Sequence, residues 1–503
     1  MKNRAPYIAA IFFWAGSAIA ADFCVDNAAL LAQSLDIADN NGQSDVVRLV
    51  EGVYTGNFDY NANAAETGDL RIEGGYTPGC ADRVIDAANT VLAGNGGRSL
   101  NLNGNDNSGL IVEGITVRDG QSALGGAGVD IGRWTTVLVS KNIFSANQTS
   151  SGADGSGGLN IDRSVTVEVI NNDFIGNTGG KGGGLSMSDP VLATVDANLF
   201  LDNTAEQNGG AIDADSAGRF VITNNVIARN NAAEDAAGIG LSLFVDGTAG
   251  SADLTNNTIT GNTAGQEGGG IDLKMTGDAT SVALYNNIVF ANAAGLLARD
   301  LHLDNDDEQN GVPSSVEMFN NDFDQTGLGL FVAIPFAVDA SNLNNVDPLF
   351  VNPGADDYDL QAASALIDAG SAIAPELPAA DYHGAARIVG VAPDIGAPEF
   401  AQVDGDGDGI ADTNDNCTLI HNPNQVDTDN DGFGNRCDAD LTNNGLVDFL
   451  DVAEIKMAFL TTPVSPNWNP HADFNLDDRI DFLDVGIMKD MFLLAPGPSG
   501  LVP

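Results

Sequence analysis

Short apolar runs that alternate with polar residues recur through the middle of the chain. Between residues 141 and 324 each recurrence begins with Asn, and an apolar β-branched or aromatic residue follows two positions later, as in Asn142-Ile143-Phe144. The seven asparagines stand 26 to 34 positions apart and are Asn142, Asn172, Asn198, Asn225, Asn257, Asn287 and Asn321. A unit of this length cannot bury its own apolar face, so successive units must stack. The pattern therefore predicts a parallel β-solenoid with loops of different length.

A second Asn follows five positions after six of these seven residues. The second set is Asn147, Asn177, Asn203, Asn230, Asn262 and Asn292. An Asn at a turn tolerates left-handed backbone, and its amide can bond the Asn of the next coil. We therefore expect the repeated asparagines to be structural ladders rather than ligands.

The segments on either side of the repeat carry other patterns. Before the repeat, Gly and Asp break short strands, and residues 30–38 form a candidate helix. Such a segment would cover the open end of the solenoid. After residue 400, acidic loops alternate with two amphipathic runs around Met457 and Met488. The expected fold class is mainly β: a parallel β-solenoid with an N-terminal cap, followed by a small α module.

The composition indicates several folded domains and excludes one class of partner. Of 503 residues, 43% are apolar and 18% are charged, so the chain can build more than one core. Seventy Asp and Glu against 20 Lys and Arg give a net charge of −50. That charge repels phosphate backbones, so nucleic-acid binding is excluded.

The first 20 residues have the pattern of a secretory signal. Lys2 and Arg4 precede an apolar stretch over residues 8–15, and Ala18-Ile19-Ala20 is a small-residue cleavage site. The alternative, an uncleaved membrane anchor, requires ~20 apolar residues, more than this stretch contains. The expected location is therefore secreted or at the cell surface, with cleavage after Ala20.

Export to an oxidising compartment predicts disulfides. The four cysteines allow three pairings, and only Cys24 with Cys80 and Cys417 with Cys437 keep each bridge inside one domain.

The repeat resembles the pectin-lyase-like superfamily of right-handed parallel β-helices, in which asparagines stack at the turns. The resemblance covers roughly residues 85–345 and concerns architecture rather than chemistry. The motifs that follow resemble the choice-of-anchor Q segment of bacterial surface proteins, and they are Asp347-Pro348-Leu349-Phe350, residues 364–370, Arg387 and residues 394–400.

Four twelve-residue loops between residues 404 and 484 carry oxygen ligands at the spacing that wraps a backbone around Ca²⁺. The first has Asp404, Asp406, Asp408, Asp412 and Asp415; the second Asp427, Asp429, Asp431 and Asp438; the third Asp440, Thr442, Asn444, Asp448 and Asp451; the fourth Asp473, Asn475, Asp477, Asp481 and Asp484. Gly409, Gly432 and Gly445 stand at the sixth place, where the backbone turns sharply. Each loop ends in Asp rather than the Glu of an EF-hand. Ca²⁺ is the expected cofactor.

The first two loops resemble a thrombospondin type 3 repeat, with Thr418 where that family usually has Pro. The last two resemble a type I dockerin, because residues 447–452 and 480–485 are near-identical and each leads into an amphipathic run. The resemblance implies a cohesin-like or cell-surface partner. At the partner-reading places this chain has Phe449-Leu450 and Phe482-Leu483 instead of hydroxyls. These pairs are expected either to meet a different partner or to face the module's own core.

One face of the solenoid carries candidate catalytic residues. Aligning the inward residues Val129, Leu159, Leu185, Ile212, Ile239 and Ile271 predicts two outward columns. The first is Asp130, Asn160, Ser186, Asp213, Gly240 and Asp272, and the second is Gly132, Asp162, Ser188, Asp215, Ser242 and Lys274. Asp213, Asp215 and Asp272 could supply the two carboxylates of an inverting glycoside hydrolase, whereas Lys274 could be the base of a uronate lyase. The other interpretation is a merely polar surface.

Two functions fit these observations. The first is a secreted protein that binds extracellular polysaccharide, with hydrolase or lyase activity left open, and that is tethered through the dockerin-like tail. The second is a non-catalytic adhesin or stalk. The predicted segments are 1–20 signal, 21–84 cap and first strands, 85–345 β-helix, 346–400 choice-of-anchor Q-like cap, 401–438 thrombospondin-like repeat, 439–496 dockerin-like module and 497–503 tail.

Overall fold

The computed structural model describes residues 21–149, 155–245, 248–275, 280–304, 315–332, 337–401, 405–408, 410–412 and 414–501. The predicted signal segment, Asp404 and Gly409 lie outside these residues. The chain divides into two compact units, one reaching residue 388 and including 392–399, the other comprising 389–391 and residues from 400 onward. In the described part of the chain, no helix is both long and apolar enough to span a bilayer.

Four parallel sheets form the first unit, which confirms the predicted β-solenoid. Sheet 1 contains Ala21–Val25, Asp45–Val50, Leu70–Tyr76, Gly109–Glu113, Thr136–Ser140, Thr166–Ile170, Leu192–Asp196, Arg219–Thr223, Ser251–Thr255, Ser281–Tyr285 and Ser315–Phe319. Sheet 2 contains Gly52–Thr55, Thr90–Ala93, Thr116–Arg118, Ile143–Ser145, Asp173–Ile175, Leu199–Leu201, Val226–Ala228, Thr258–Thr260, Ile288–Phe290, Asp322–Phe323 and Leu343–Asn344.

The other two sheets complete each coil. Sheet 3 contains Phe58–Asn61, Leu100–Asn103, Val129–Gly132, Leu159–Asp162, Leu185–Ser188, Ile212–Asp215, Ile239–Ser242, Ile271–Lys274, Leu301–Asp304 and Leu330–Val332. Sheet 4 contains the two-residue strands Gln121–Ser122, Gln148–Thr149, Thr178–Gly179, Thr204–Ala205, Asn231–Ala232, Thr263–Ala264 and Ala293–Ala294. A typical coil runs from sheet 1 through sheets 2, 4 and 3, and each strand pairs in parallel with its equivalent one coil away. Two small antiparallel pairs are Phe244–Val245 with Thr248–Ala249, and Phe350–Asn352 with Asp357–Leu360.

The core of the solenoid consists of inward side chains stacked from coil to coil. Phe144, Phe174 and Phe200 lie one above another, with ring centroids 4.8 and 4.5 Å apart. Equivalent positions in other sheets hold buried Leu, Ile and Val side chains. The stacking explains why one coil alone would not be stable, since each coil buries its apolar face only against its neighbours.

Both predicted asparagine ladders are present and buried. Asn172, at the corner between sheets 1 and 2, donates from Nδ2 to Asn198 Oδ1 at 3.0 Å, and its own Oδ1 accepts from Asn142 Nδ2 at 3.0 Å. The second ladder, between sheets 2 and 4, repeats this pattern through Asn203 and Asn230. The expected left-handed backbone lies one residue earlier, for example at Asn171 (φ 57°). The ladder residue needs ordinary backbone because its side chain must point inward along the axis.

The first coil is covered by α1, Ala28–Ala38. This helix includes residues 30–38, for which the sequence predicted a helix. Asn27 caps its N-terminus by accepting a hydrogen bond from Leu30 N, and Leu31 and Leu35 enter the core. The predicted disulfide joins Cys24 to Cys80. A short 3₁₀-helix, Ala87–Asn89, follows in the second coil.

Residues 346–388 and 392–399 lie along the outer face of sheet 2 and the neighbouring part of sheet 1. Tyr358 and Tyr382 pack on Val226 and Ala228, well before the last coil. Buried Arg387 donates to Asn224 Oδ1 at 2.6 Å. A 3₁₀-helix, Pro353–Ala355, lies in the same segment. The segment therefore packs along the side of the solenoid. The sequence had instead predicted a cap over its C-terminal end.

Several buried carboxyl groups give the solenoid a pH-dependent stability. Burial raises the pKa to about 7 for Asp322 and to about 6 for Asp196 and Asp300. A carboxyl group whose pKa is raised above the unfolded value of 3.8 contributes stability that is fully present below that value. This contribution falls as pH rises and is lost once pH has passed through the folded pKa of about 6 to 7. We expect Asp322→Asn to raise the free energy of unfolding by about 2 kcal/mol at pH 8 and to change it little at pH 4. Urea unfolding at both pH values tests this, with Asp59→Asn, an exposed carboxylate on the Phe58–Asn61 strand, as control.

The second unit contains two helices around a small core. These are α2, Phe449–Ala458, and α3, Phe482–Met491, with a 3₁₀-helix, Pro470–Ala472, before the second. The core residues are Ala439, Val447, Ile455, Ala458, Ala472, Phe474, Ile480 and Met488. Cys417 and Cys437 are joined, which confirms the second predicted disulfide.

Candidate functional site

Two columns of side chains follow the outer face of sheet 3, in the register that the sequence predicts. Asp213 pairs with Ser186 on one side and Gly240 on the other, and Gly240 pairs with Asp272. The first column continues one coil further than predicted, because Asp272 pairs with His302. The second column continues from Lys274 to Asp304 in the same way.

A polar cleft of about 520 Å³ runs over this face. Its polar side chains are Asn103, Asp130, Asn160, Asp162, Arg163, Lys181, Ser186, Ser188, Asn208, Asp213, Asp215 and Ser242. Asn103 and Ser242 stand five strands apart, which corresponds to about 24 Å along the solenoid axis. The cleft is therefore long. Few of its lining residues are apolar, and most carry carboxylate, amide or hydroxyl groups.

Asp213 and Asp215 both line this cleft, two residues apart on one strand. That spacing separates their Cα atoms by about 7 Å. Burial raises the pKa of Asp213 to about 7, although the Lys181 and Lys274 ammonium groups oppose the shift. Gly240 is the next residue in the column, so no side chain from that strand covers the Asp213 carboxyl. Asp213 can thus hold a proton near neutral pH beside the exposed Asp215 carboxylate.

Asp272 and Lys274 belong to a separate cluster. Asp272 is 3% exposed, and its Oδ1 lies 2.7 Å from His302 Nδ1. Lys274 Nζ lies 3.7 Å from Asp272 Oδ2 and 3.3 Å from Asp235 Oδ2. Burial opposes the shift, but these two carboxylates raise the pKa of Lys274. Lys274 is therefore an ion-paired ammonium group and a poor general base. The alternation predicted that Asp272 faces water, and this was wrong because the side chain is buried.

His302 is the residue of this cluster that sequence reasoning left out. Its ring stacks on Phe331 with centroids 5.0 Å apart, and its Nε2 lies 3.5 Å from Glu267 Oε2. Burial favours the neutral imidazole, but the Asp272 hydrogen bond and charge outweigh burial and raise the pKa of His302. The signal was present in Leu301-His302-Leu303, which continues the inward–outward alternation by one more coil.

The third and fourth acidic loops bury their first and last carboxylates. Asp440 and Asp451 close the third loop, and Asp473 and Asp484 close the fourth, all of them buried. Their hydrogen bonds come from backbone amides, plus the Thr442 hydroxyl in the third loop. Buried carboxylates with only neutral donors leave negative charge unbalanced. An all-oxygen set of this kind fits Ca²⁺, which would neutralise that charge.

The last carboxylates of the two loops, Asp451 and Asp484, also lie in the first turns of the two helices. Asp448 and Asp451 form a capping box at the start of α2, and Asp481 and Asp484 form the equivalent box at α3. At the sixth place of the loops, Gly445 has φ 88° and Asp478 has φ 63°, the left-handed turn that the spacing predicts. Each loop and its helix are therefore one element, and a change in the loop carboxylates reaches the helix directly.

The first two loops are less regular. In the first, Asp415 is fully buried; its Oδ1 accepts from Cys417 N at 2.8 Å, and its Oδ2 has no hydrogen-bond partner among the described residues. Asp406, Asp408 and Asp412 lie in the same loop. In the second, Asp429 and Asp438 contact His471, a residue of the Pro470–Ala472 turn. The loop spacing alone did not predict an imidazole there.

An apolar face runs across α2 and α3. Phe449 and Phe482 are 78% and 77% exposed, and Leu450 and Leu483 are exposed with them. These pairs do not face the module's core, so that alternative was wrong. A cleft of about 440 Å³ lies between the helices and is lined by Val452, Ile455, Lys456, Phe459, Phe482, Val485, Met488, Lys489 and Phe492. Equivalent positions of the two helices contribute to it, which gives the face an internal two-fold repeat.

The comparisons identify the C-terminal segment. Residues 438–493 match the model of the dockerin type I domain. This segment is a type I dockerin domain. The match includes both loop–helix repeats and the apolar face of the dockerin domain, and it begins one residue before the predicted boundary.

For the solenoid, the comparisons yield distant solved structures. The crystal structure of pectate lyase Pel9A shares 15% identity over 73% of this chain and 90% of that chain, with a TM-score of 0.36. The alginate lyase from Paenibacillus sp. str. FPU-7 shares 14% identity over 59% of this chain and 99% of that chain, with a TM-score of 0.25. No curated protein matches the chain. The solenoid architecture therefore rests on its own strand pairing.

Proposed function

We propose that this is an extracellular, calcium-binding protein that holds an extended polysaccharide in the cleft over sheet 3 and is tethered through its dockerin domain. The observation that carries the proposal is the cleft itself, in which Asp213 and Asp215 lie among amide and hydroxyl side chains. Sugars present many hydroxyl groups, and groups of both kinds can bond them. A cleft aligned with the solenoid axis suits a linear chain better than a small compact ligand.

The charge of the cleft favours a neutral glycan. Asp130, Asp162, Asp213 and Asp215 line it, against Arg163 and Lys181 as the basic residues of the lining. Arg163 Nε lies 2.8 Å from Asp162 Oδ2, so part of its charge is already paired. With Asp213 protonated near neutral pH, the cleft has no net positive charge to attract a polyuronate, and the whole chain, with its net charge of −50, would repel one.

The same two carboxyl groups support hydrolysis as the reaction. An inverting glycoside hydrolase needs one protonated and one ionised carboxyl group ~6.5–9.5 Å apart, with a water molecule on the ionised one. Asp213, with its raised pKa, would be the general acid, and Asp215 would be the base. The lyase alternative needs an unprotonated base, and the ion-paired Lys274 does not offer one.

A polysaccharide panel tests binding and reaction together. We expect reducing ends to appear on a neutral polysaccharide without absorbance at 235 nm, and Asp213→Asn or Asp215→Asn to lower the rate at least about 100-fold. Asp202→Asn, an exposed carboxylate at another corner of the same coil, is the matched control.

Each other outcome changes the proposal. An increase in absorbance at 235 nm would show that the reaction is an elimination and not a hydrolysis. Turnover that both substitutions spare would remove the site from the cleft. Affinity electrophoresis that shows binding without turnover would leave a glycan-binding protein, and neither binding nor turnover would favour the adhesin or stalk.

The dockerin domain supports tethering to a second protein. The exposed Phe449-Leu450 and Phe482-Leu483 pairs form an apolar surface that a cohesin-like or cell-surface partner would cover. Apolar residues at these places indicate a partner with an apolar docking surface. The secretory signal, the thrombospondin-like repeat and the choice-of-anchor Q-like segment are parts of the same proposal and agree with an extracellular location.

A further inference from the structure

The cleft over sheet 3 extends unequally on the two sides of Asp213 and Asp215. Towards the first coils its lining continues over four strand spacings to Asn103, and towards the last coils it continues over one, to Ser242. Neighbouring strands lie about 4.8 Å apart, which is close to the length of one sugar residue in an extended glycan. The two carboxyl groups therefore lie near one end of the cleft.

An ion pair crosses the outer face of sheet 3 directly beyond this end. Lys274, the last residue of its strand, places Nζ 3.3 Å from Asp235 Oδ2 and 3.7 Å from Asp272 Oδ2. Asp235 precedes the neighbouring strand Ile239–Ser242, so the lysine side chain must fold back over the face of the sheet to reach it. The Lys274–Asp235 pair thus lies across the line of the cleft.

Other contacts hold this ion pair in place. Asp235 Oδ1 accepts from Glu267 N at 3.2 Å, and Asp235 N donates to Asn208 Oδ1 at 3.1 Å. Beneath the lysine, Asp272 is buried, and its Oδ1 lies 2.7 Å from Nδ1 of the buried His302. Packed side chains therefore occupy the first column beyond the end of the cleft.

Between the carboxyl groups and the ion pair, the first column has a residue without a side chain. Gly240 separates Asp213 from Asp272, and a Cβ atom at Gly240 would lie 3.4 Å from Asp213 Oδ1 and 2.8 Å from Ala236 Cβ. A larger residue would therefore take up the space beside Asp213. The strands of Asp213 and Lys274 are two spacings apart, about 10 Å, which leaves room for one or two sugar residues.

We propose that the Lys274–Asp235 pair closes the cleft, so that the protein removes one or two sugar residues at a time from an end of a neutral glycan. The inference rests on the proposed hydrolysis at Asp213 and Asp215 and adds the length of the product. Water adds to the anomeric carbon while Asp215 takes its proton, the glycosidic C–O bond breaks, and Asp213 protonates the leaving oxygen. The remainder of the glycan lies over the coils between Asp213 and Asn103.

The test follows the products that the full-length chain forms from cellohexaose, mannohexaose and xylohexaose, each labelled with ¹⁸O at the reducing end. We expect the first products to be a mono- or disaccharide and the complementary penta- or tetrasaccharide. Lys274→Ala opens the cleft beyond Ser242. In this variant the ratio of trisaccharide to the short products should rise about 10-fold or more, the scale on which one changed pocket contact alters specificity. The label shows which end of the glycan enters the closed side.

Two further variants separate the ion pair from general effects on the fold. Lys274→Arg keeps a cation beside Asp235 and should retain the short products. Arg118→Ala removes an exposed ion pair on sheet 2 and should leave the product ratio unchanged. Should Lys274→Ala have a lower melting temperature than the wild type, Asp235→Ala decides the matter by the same ratio.

The outcomes distinguish this inference from the proposed function. Trisaccharide as the main first product of the wild type, or an equal product ratio in the wild type and Lys274→Ala, would overturn the closed end. Hydrolysis that Asp213→Asn abolishes would still support the proposed function in that case. Absence of cleavage of all three hexasaccharides would overturn the inference together with the hydrolysis on which it rests.

Discussion

Chelation of calcium is expected to unfold α2 and α3 and to lower the melting temperature of a fragment comprising residues 401–503. The physical reason lies in Asp451 and Asp484, which are buried, complete the acidic loops and form the capping boxes of the two helices. Without a cation, four buried carboxylates in two loops repel one another across a small core. A ligand that binds only the folded form stabilises it by about 4 kcal/mol per site when its free concentration is a thousand times its Kd.

The measurement is far-UV circular dichroism with the fluorescence of Trp468, which is the only Trp in that fragment. Re-addition of Ca²⁺ alone should restore both signals. Asp484→Asn should lower the Ca²⁺-dependent rise in melting temperature, whereas Asp478→Asn in the same loop should not, since Asp478 is exposed and Asn tolerates its left-handed backbone. A fragment that keeps its helices in chelator would refute the calcium assignment.

Substitution Asn203→Ala is expected to destabilise the solenoid by about 4 kcal/mol, far more than most single changes. Asn203 donates to Phe174 O and to Asn230 Oδ1, each at 2.9 Å. It also accepts from Asn177 N and Asn177 Nδ2, each at 3.0 Å. Alanine would remove all four hydrogen bonds, and the neighbouring coils hold the site too tightly for water to replace the amide. Asn177 N would lose its acceptor, whereas Asn230 Oδ1 would keep Asn203 N, and Asn177 Nδ2 would keep Phe144 O.

Urea unfolding followed by the fluorescence of the buried Trp134 measures this change within the solenoid. Asn107→Ala is the control, because Asn107 is exposed and lies outside both ladders; its effect should stay within about 0.5 kcal/mol. Equal stability of the two variants would mean that the ladders do not hold the coils together.

The features that repeat along the chain could be predicted because the same residue type stands at the same position of several coils, so that each coil supports the alignment of the others. Equivalents of Asn172 recur from Asn142 to Asn321, and equivalents of Leu185 recur along sheet 3. Their alignment therefore predicted both the ladders and the register of the outward columns. The disulfide pairing followed from keeping each bridge within a domain. The third and fourth loops were recognisable because residues 447–452 and 480–485 duplicate one another.

Contacts between segments distant in sequence could not be predicted from the repeat. Asp272 is buried beside His302 and Lys274, which in turn contact Glu267 and Asp235. Alternation along one strand contains no information about such contacts with neighbouring strands and loops. His471 reaches the second loop through a turn outside the twelve-residue spacing. The outward direction of Phe449 and Phe482 depends on the packing of α2 against α3, which a hydropathy pattern does not determine.

Carboxyl-labelling mass spectrometry with and without a bound oligosaccharide tests the central claim, that the cleft over sheet 3 holds the glycan. The oligosaccharide should come from whichever polysaccharide in the panel binds. We expect it to protect Asp162, Asp213 and Asp215 from labelling and to leave Asp202, at another corner of the solenoid, unchanged. Unchanged labelling of Asp213 and Asp215 in the presence of a bound oligosaccharide would contradict the account.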